Sequence, residues 1–196
     1  MPARLEFVFG YGSLAAYAGA VPTRAFHPEG FISDLRGFRR CWGVAMDNRV
    51  TLPGYKYYLD VEGNRPPVNV AFLDLRRARG ESVNGVCLPV SRDDLAGLDK
   101  RERNYERRDV TAHCHLPGDI SRVWTYIGSP AGRRRLTRSR SAGRAVVDRS
   151  YLEAVASAFE RLGRAEYAAS AASLDPAGLP VVALRRHEIA STTIGP

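Results

Sequence analysis

Cysteine is scarce in this chain: 196 residues contain three, at positions 41, 87 and 114, with no CxxC spacing. An odd, widely spaced set argues against a disulfide framework and is expected of reduced thiols in a cytoplasmic compartment. Lysine is scarcer still, at 56 and 100 only, so the net charge of +8 rests almost entirely on arginine. No apolar run approaches the length of a membrane-spanning helix, and the N-terminal residues lack the basic, apolar, small-residue order of a secretory leader. A cytoplasmic protein with no membrane partner is therefore expected. Histidine occurs four times, in neither an HExxH nor another catalytic string. His113 and His115 flank Cys114 and would share one face of a strand, but two ligands do not make a metal site. No metal is expected.

What remains is an ordinary apolar content of 44%, enough at this length for a substantial core. The simplest division is a single domain over 1–190 with a tail at 191–196. Apolar, β-branched stretches predict strands at 7–9, 31–36, 38–45, 68–75, 83–90, 106–115 and 123–127. Turns are expected at Gly37 and over 76–81, the latter as a hairpin. Residues 47–67, with Pro53, Gly54, Gly63, Pro66 and Pro67, read as a long loop whose Tyr55, Tyr57 and Tyr58 cover the core or a pocket. Ser91 followed by Asp94 is a helix-start pattern, for a helix to about 103. An amphipathic helix from Asp148 carries Tyr151, Val155, Phe159 and Leu162, a second helix follows over 165–173, and a last edge strand at 179–184. Strict βαβ alternation is missing, so the class is α+β, with mainly local strand connections that suit a small mixed barrel flanked by helices.

The stretch Phe7-Val8-Phe9-Gly10-Tyr11-Gly12-Ser13-Leu14 stands out. A buried strand runs straight into a turn whose glycines allow positive φ and close approach of a ligand to the backbone, and whose N–H groups form a concave anion site. Gly10-x-Gly12-x-x-Ala15 also meets a loose dinucleotide fingerprint, but Gly19, Pro22 and Pro28 spoil the helix and strand that motif requires. Ser13 as a nucleophile needs glycines two positions to either side, where Tyr11 and Ala15 stand. The third reading is an anion cradle serving acid–base chemistry run from elsewhere.

The candidate for that chemistry is Glu102. Leu95, Leu98 and Glu102 fall on one helix face. A carboxylate on an apolar stripe loses hydration, which raises its pKa towards the operating pH and suits it to shuttle protons. The plainer reading has Glu102 ending its helix and pairing with an arginine among 101, 103, 107 and 108. Arginines 133–135, 138, 140 and 144 lie in a Gly/Ser/Arg-rich segment, 128–144, that reads as a mobile, solvated basic loop. Without interleaved aromatics, a nucleic-acid partner is not expected.

Taken together, these pieces resemble the γ-glutamylcyclotransferase superfamily, which includes the ChaC-type enzymes. Residues 8–14 are similar to its N-terminal signature. Leu98-Asp99-Lys100-Arg101-Glu102, followed by Tyr105, resembles its second signature, in which a catalytic glutamate ends a helix. Leu35-Arg36-Gly37-Phe38-Arg39-Arg40 with Trp42, and Val83-Asn84-Gly85-Val86, are similar to weaker motifs, and Tyr126 and Tyr151 stand where the family has ligand-facing tyrosines. The resemblance implies a small mixed β-barrel and a cofactor-free cyclisation of a γ-glutamyl compound to 5-oxoproline, with release of an amine or amino acid. It also implies Glu102 as catalytic acid/base, a small-molecule γ-glutamyl substrate bound by Tyr11, Gly12, Ser13, Leu14, Tyr105, Tyr126 and Tyr151, and a monomer or homodimer. The alternative on the same scaffold is a non-catalytic carboxylate-binding module. Segments 47–67 and 128–144 depart from the family's compact pattern and are expected to shape the pocket for the leaving half.

Overall fold

Alternating apolar residues over 31–47 and 69–89 build the two longest strands of the protein, which pair antiparallel almost end to end. The computed structural model describes residues 5–18, 24–114, 116 and 120–190. Its elements are β1 (Leu5–Gly10), a 3-10 turn (Ser13–Tyr17), β2 (Phe31–Asp47), β3 (Lys56–Leu59), β4 (Asn69–Pro89), α1 (Arg92–Arg101), β5 (Tyr105–Asp109), a 3-10 turn (Thr111–His113), β6 (Ile120–Gly128), α2 (Pro130–Ser141), β7 (Ala145–Asp148), α3 (Arg149–Leu162), α4 (Arg164–Leu174), β8 (Val181–Val182) and β9 (Arg185–Glu188). The architecture is α+β: a mixed sheet in the order β5-β6-β1-β4-β7-β8, with β2 also paired to β4, and a separate β3-β9 ribbon. Among the described residues the main ladder is an open path ending at β5 and β8.

Several local expectations give way to longer-range structure. The turn expected at Gly37 and the hairpin expected over 76–81 are both absent, because these residues face each other inside the β2–β4 ribbon. The register jumps from Arg36↔Ser82 to Phe38↔Arg77, and Gly37 and Gly80 take φ of 77° and 82° at that point. Glycine alone adopts such φ cheaply, so the two strands kink together without breaking. The strand expected over 106–115 stops at Asp109 and gives way to the 3-10 turn. The loop expected over 47–67 contains β3, whose partner β9 lies far away in sequence.

The largest correction concerns 128–144, which is not a mobile loop but contains α2. Ser129 caps it by accepting from Gly132 N at 3.1 Å, and Pro130 occupies its first turn, where a missing N–H costs nothing. Gly132, Leu136 and Ser139 form its buried stripe, and it packs on β2. His115, Gly19, Pro22 and the tail at 191–196 lie outside the described residues.

The core has two parts. The larger gathers Phe7, Phe9, Leu35, Leu75 and Val86 of the sheet with Val155 and Phe159 of α3. The smaller lies under the β3–β9 ribbon and holds Val44, Tyr55, Tyr58, Val70, Phe72 and Leu184. Tyr151 packs against both. At about 1.5–3 kcal/mol per fully buried large apolar side chain, these clusters supply the main driving force for the fold.

One edge of β4 creates the space for a site. β7 pairs there with Asn69 and Val70, and β1 with residues 86–89. Between them the edge has no strand partner, yet buried backbone groups must be satisfied. At Leu73 the carbonyl accepts from Tyr105 Oη at 2.7 Å, and Tyr151 lines the gap beside the same residue. At Leu75 the amide donates to Asp74 Oδ1 at 2.7 Å and the carbonyl accepts from Arg133 Nη2 at 3.0 Å. Tyrosines close one stretch of the gap and an arginine of α2 the next.

Candidate active site

The turn after β1 lies at this gap. Phe7, Val8 and Phe9 are buried and fix the end of β1. Gly12 caps the following 3-10 turn, and its carbonyl accepts from Ala15 N at 2.9 Å. The N–H groups of Gly12, Ser13 and Leu14 therefore precede the first bond of the turn and have no partner within it. The positive φ anticipated for Gly12 is not used: its φ is −140°. Its lack of a side chain serves close approach instead, since a Cβ there would stand 3.3 Å from Tyr151 Oη.

Helix α1 delivers the acid. Ser91 and Asp94 form the expected capping box, and Leu95 anchors the helix in the core. The helix stops at Glu102, whose amide still donates to Leu98 O at 2.8 Å while its carbonyl accepts from Tyr105 N at 2.9 Å. That turn leads directly into β5 and sets Tyr105 beside Glu102. One turn earlier on α1, Asp99 accepts from Tyr126 Oη at 2.7 Å and pairs with Arg107. Tyr11 donates to the Tyr126 carbonyl at 2.7 Å.

These residues line one cavity of about 300 Å³, formed by Tyr11, Gly12, Ser13, Leu14, Leu73, Glu102, Tyr105, Tyr126 and Tyr151. All eight residues singled out in the sequence are thus brought together, and Leu73 joins them. Burial raises the pKa of Glu102 above the ordinary glutamate value, against the opposing pull of Arg101, Lys56 and Arg186. Its side chain is 16% exposed and pairs with Arg101 Nε at 3.2 Å, so desolvation and an arginine contact coexist at one carboxylate. Burial also raises the phenols of Tyr11, Tyr105, Tyr126 and Tyr151, which stay neutral at physiological pH. Tyr11, Tyr105 and Tyr126 spend their protons on protein acceptors. Tyr151 lines the cavity beside Leu73 and Gly12, and among the described residues no acceptor takes its proton, which is free to point into the cavity.

A second cleft of about 1080 Å³ shares Ser13, Glu102, Tyr105 and Tyr151 with the first and continues along Tyr55, Lys56, Tyr58, Phe72, Arg101 and Arg186. Sequence reasoning placed Tyr55 and Tyr58 over the core or a pocket, and they line this cleft. It missed Lys56 and Arg186, because 56–59 and 185–188 carry no alternating pattern that marks them as paired strands. The arginine-rich segment lines neither cleft. Arg133 instead binds the fully buried Asp74 at 2.8 Å, and Arg135 binds Ala45 O and Asn104 Oδ1. His113 stacks edge-on with Phe38, and its Nε2 lies 2.9 Å from Arg77 Nη1. Among the described residues no group of three histidine, cysteine, aspartate or glutamate side chains is placed to hold a metal ion, and no helix is long and apolar enough to cross a membrane.

A sequence model of the family described as "Gamma-glutamyl cyclotransferase, AIG2-like" matches residues 8–144. A search of curated proteins finds no match. Among solved structures, YkqA from Bacillus subtilis aligns with a TM-score of 0.54 at 13% identity, over 90% of this chain and 56% of that one. The chain therefore spans little more than half of YkqA, and the likeness concerns the fold. Weaker likenesses are to a structure named gamma-glutamyl cyclotransferase (TM-score 0.48, 15% identity, 88% of this chain and 89% of that one). An uncharacterised protein from Homo sapiens is also similar (0.46, 14%, 82% and 82%).

Proposed function

The chain belongs to the AIG2-like γ-glutamyl cyclotransferase family, and from that premise we propose that it converts a γ-glutamyl compound to 5-oxoproline and a free amine. The observation that carries this reading is the single cavity in which an anion-binding turn and a desolvated carboxylate meet. The α-carboxylate of the γ-glutamyl head sits against the open N–H groups of Gly12, Ser13 and Leu14. That fixes the α-ammonium near Glu102 and brings it within reach of its own γ-carbonyl, a proximity effect that needs no second substrate. Glu102 takes one proton from the ammonium. The freed amine attacks the γ-carbonyl carbon, closing a five-membered ring, and Tyr151 Oη–H steadies the developing oxyanion. Collapse breaks the bond to the leaving nitrogen, which receives the proton held by Glu102, and the second proton of the ring nitrogen then passes to the released amine, leaving a neutral lactam and an ammonium. No water is consumed and no electrons change hands.

The test is to incubate the purified protein with γ-glutamyl amino acids, γ-glutamyl amines and glutathione, and to follow 5-oxoproline by mass spectrometry. Release from at least one of them is expected. Folded protein that yields none across the panel contradicts the reading, and ligand-induced stabilisation without product assigns a carboxylate-binding role instead.

A further inference from the structure

The larger cleft shares Ser13, Glu102, Tyr105 and Tyr151 with the smaller cavity and extends from them to residues that the smaller cavity lacks, which gives the leaving half of a substrate seated in the smaller cavity a path. Its far wall is the β3–β9 ribbon. Tyr58 pairs with Arg186 across the ribbon, and because strand side chains alternate, Lys56, Tyr58 and Arg186 share the cleft face. Tyr57 and His187 stack on the opposite face, with ring centroids 5.3 Å apart. The Lys56 ammonium lies 4.4 Å from the Phe72 ring centroid and 5.6 Å from that of Tyr55. Among the described residues no carboxylate stands within ion-pair distance of it. The other charges of the cleft have protein partners, although that of Arg186 is the largely exposed Glu188, which leaves part of the Arg186 guanidinium open. Arg101 pairs with Glu102 and covers the Tyr17 ring, Arg186 pairs with Glu188, and Asp148 accepts from Ser150, Tyr151 and Leu184.

We propose that Lys56, backed by Arg186, is an anion subsite for the leaving half, so that the preferred substrates release an amine bearing a carboxylate. The inference rests on the cyclisation proposed above and adds to it the chemistry of the group released. A half-buried ammonium whose neighbours are ring faces has lost water without gaining a counter-ion, and a bound carboxylate supplies the missing partner. Burial pushes this ammonium down to about 8, with Arg186 and Arg101 adding to the shift and Glu102 and Glu188 opposing it. The α-carboxylate of the γ-glutamyl head is not the anion in question, because Lys56 does not line the smaller cavity. Arg186 lies beyond the segment matched by the family model, so this contribution comes from the chain's own C-terminal ribbon.

The experiment compares two substrates that differ only in the carboxylate, γ-glutamyl-alanine and γ-glutamyl-ethylamine, by 5-oxoproline release. The wild-type protein is expected to favour the alanine compound at least about tenfold in kcat/KM, the scale of one charged contact. Lys56→Met, which keeps the volume over Phe72, is expected to collapse that ratio mainly through KM. Arg186→Gln, at an exposed residue, lowers it by a smaller factor, and Lys56→Arg keeps the preference. The ratio within one variant cancels changes in folded fraction and in the pKa of Glu102. Equal rates for both substrates in the wild type, or an equal loss for both in Lys56→Met, overturn the subsite while leaving cyclisation intact. No 5-oxoproline from either substrate, nor from the wider panel, overturns the cyclisation itself.

Discussion

Glu102 is a carboxylate whose desolvation outweighs the help of three nearby cations. Its raised pKa has a thermodynamic sign. Between the unfolded glutamate value of 4.5 and the higher folded value, the folded chain binds more protons than the unfolded one. Stability therefore falls as pH rises through that window. At neutral pH the charged Glu102 costs stability, so Glu102→Gln, of nearly equal shape, is expected to melt a few degrees above the wild type at pH 7. The gain vanishes at pH 4, where both side chains are neutral. Thermal melts at the two pH values check this, and a lower Tm for the variant at pH 7 contradicts the dominance of desolvation. A site that gives up stability for a poised proton carrier is the pattern expected of catalytic groups.

Helix α2 shows why some elements escape sequence reading. Arginines 133, 134 and 135 look alike in sequence and suggest one solvated charge run. In the fold they separate by helical phase: Arg134 is exposed, while Arg133 and Arg135 turn towards the sheet. What directs Arg133 inward is Asp74, 59 residues earlier, a carboxylate with no exposed surface that also accepts from Gly128 N at 2.7 Å. Nothing local to 130–141 announces that partner. Asp74 keeps Arg76 at 3.4 Å and two backbone donors when Arg133 is removed, so Arg133→Met is expected to lower stability by about 1–3 kcal/mol, less than the loss of a fully buried pair. Arg134→Met should stay within about 0.5 kcal/mol of the wild type. Urea titrations of the two variants test the contrast. Equal midpoints would mean that α2 does not seal the β4 edge through Arg133.

At the scale of the molecule, the legible part of the site was the part encoded locally. The strand, turn and serine of residues 7–14 and the capped helix ending at Glu102 each fit within a dozen residues, and their patterns predict the structures found. The remaining wall depends on pairing between residues 56–59 and 185–188, and on an unpaired stretch of β4 that exists only because β1 and β7 dock at different heights. Neither has a sequence signal, and Lys56 in a Pro/Gly-rich segment gave no hint of lining the cleft. The long-range sheet brings head turn, helix end and ribbon to one opening, where the proposed reaction would divide a γ-glutamyl substrate into a held head and a released half. The most direct test of that account is the turnover of Glu102→Gln on whichever γ-glutamyl substrate the wild type cyclises fastest. The account predicts that kcat falls by about 10²- to 10⁴-fold, the usual worth of a positioned general acid–base, while stabilisation by 5-oxoproline persists. A variant that keeps the wild-type kcat would contradict it.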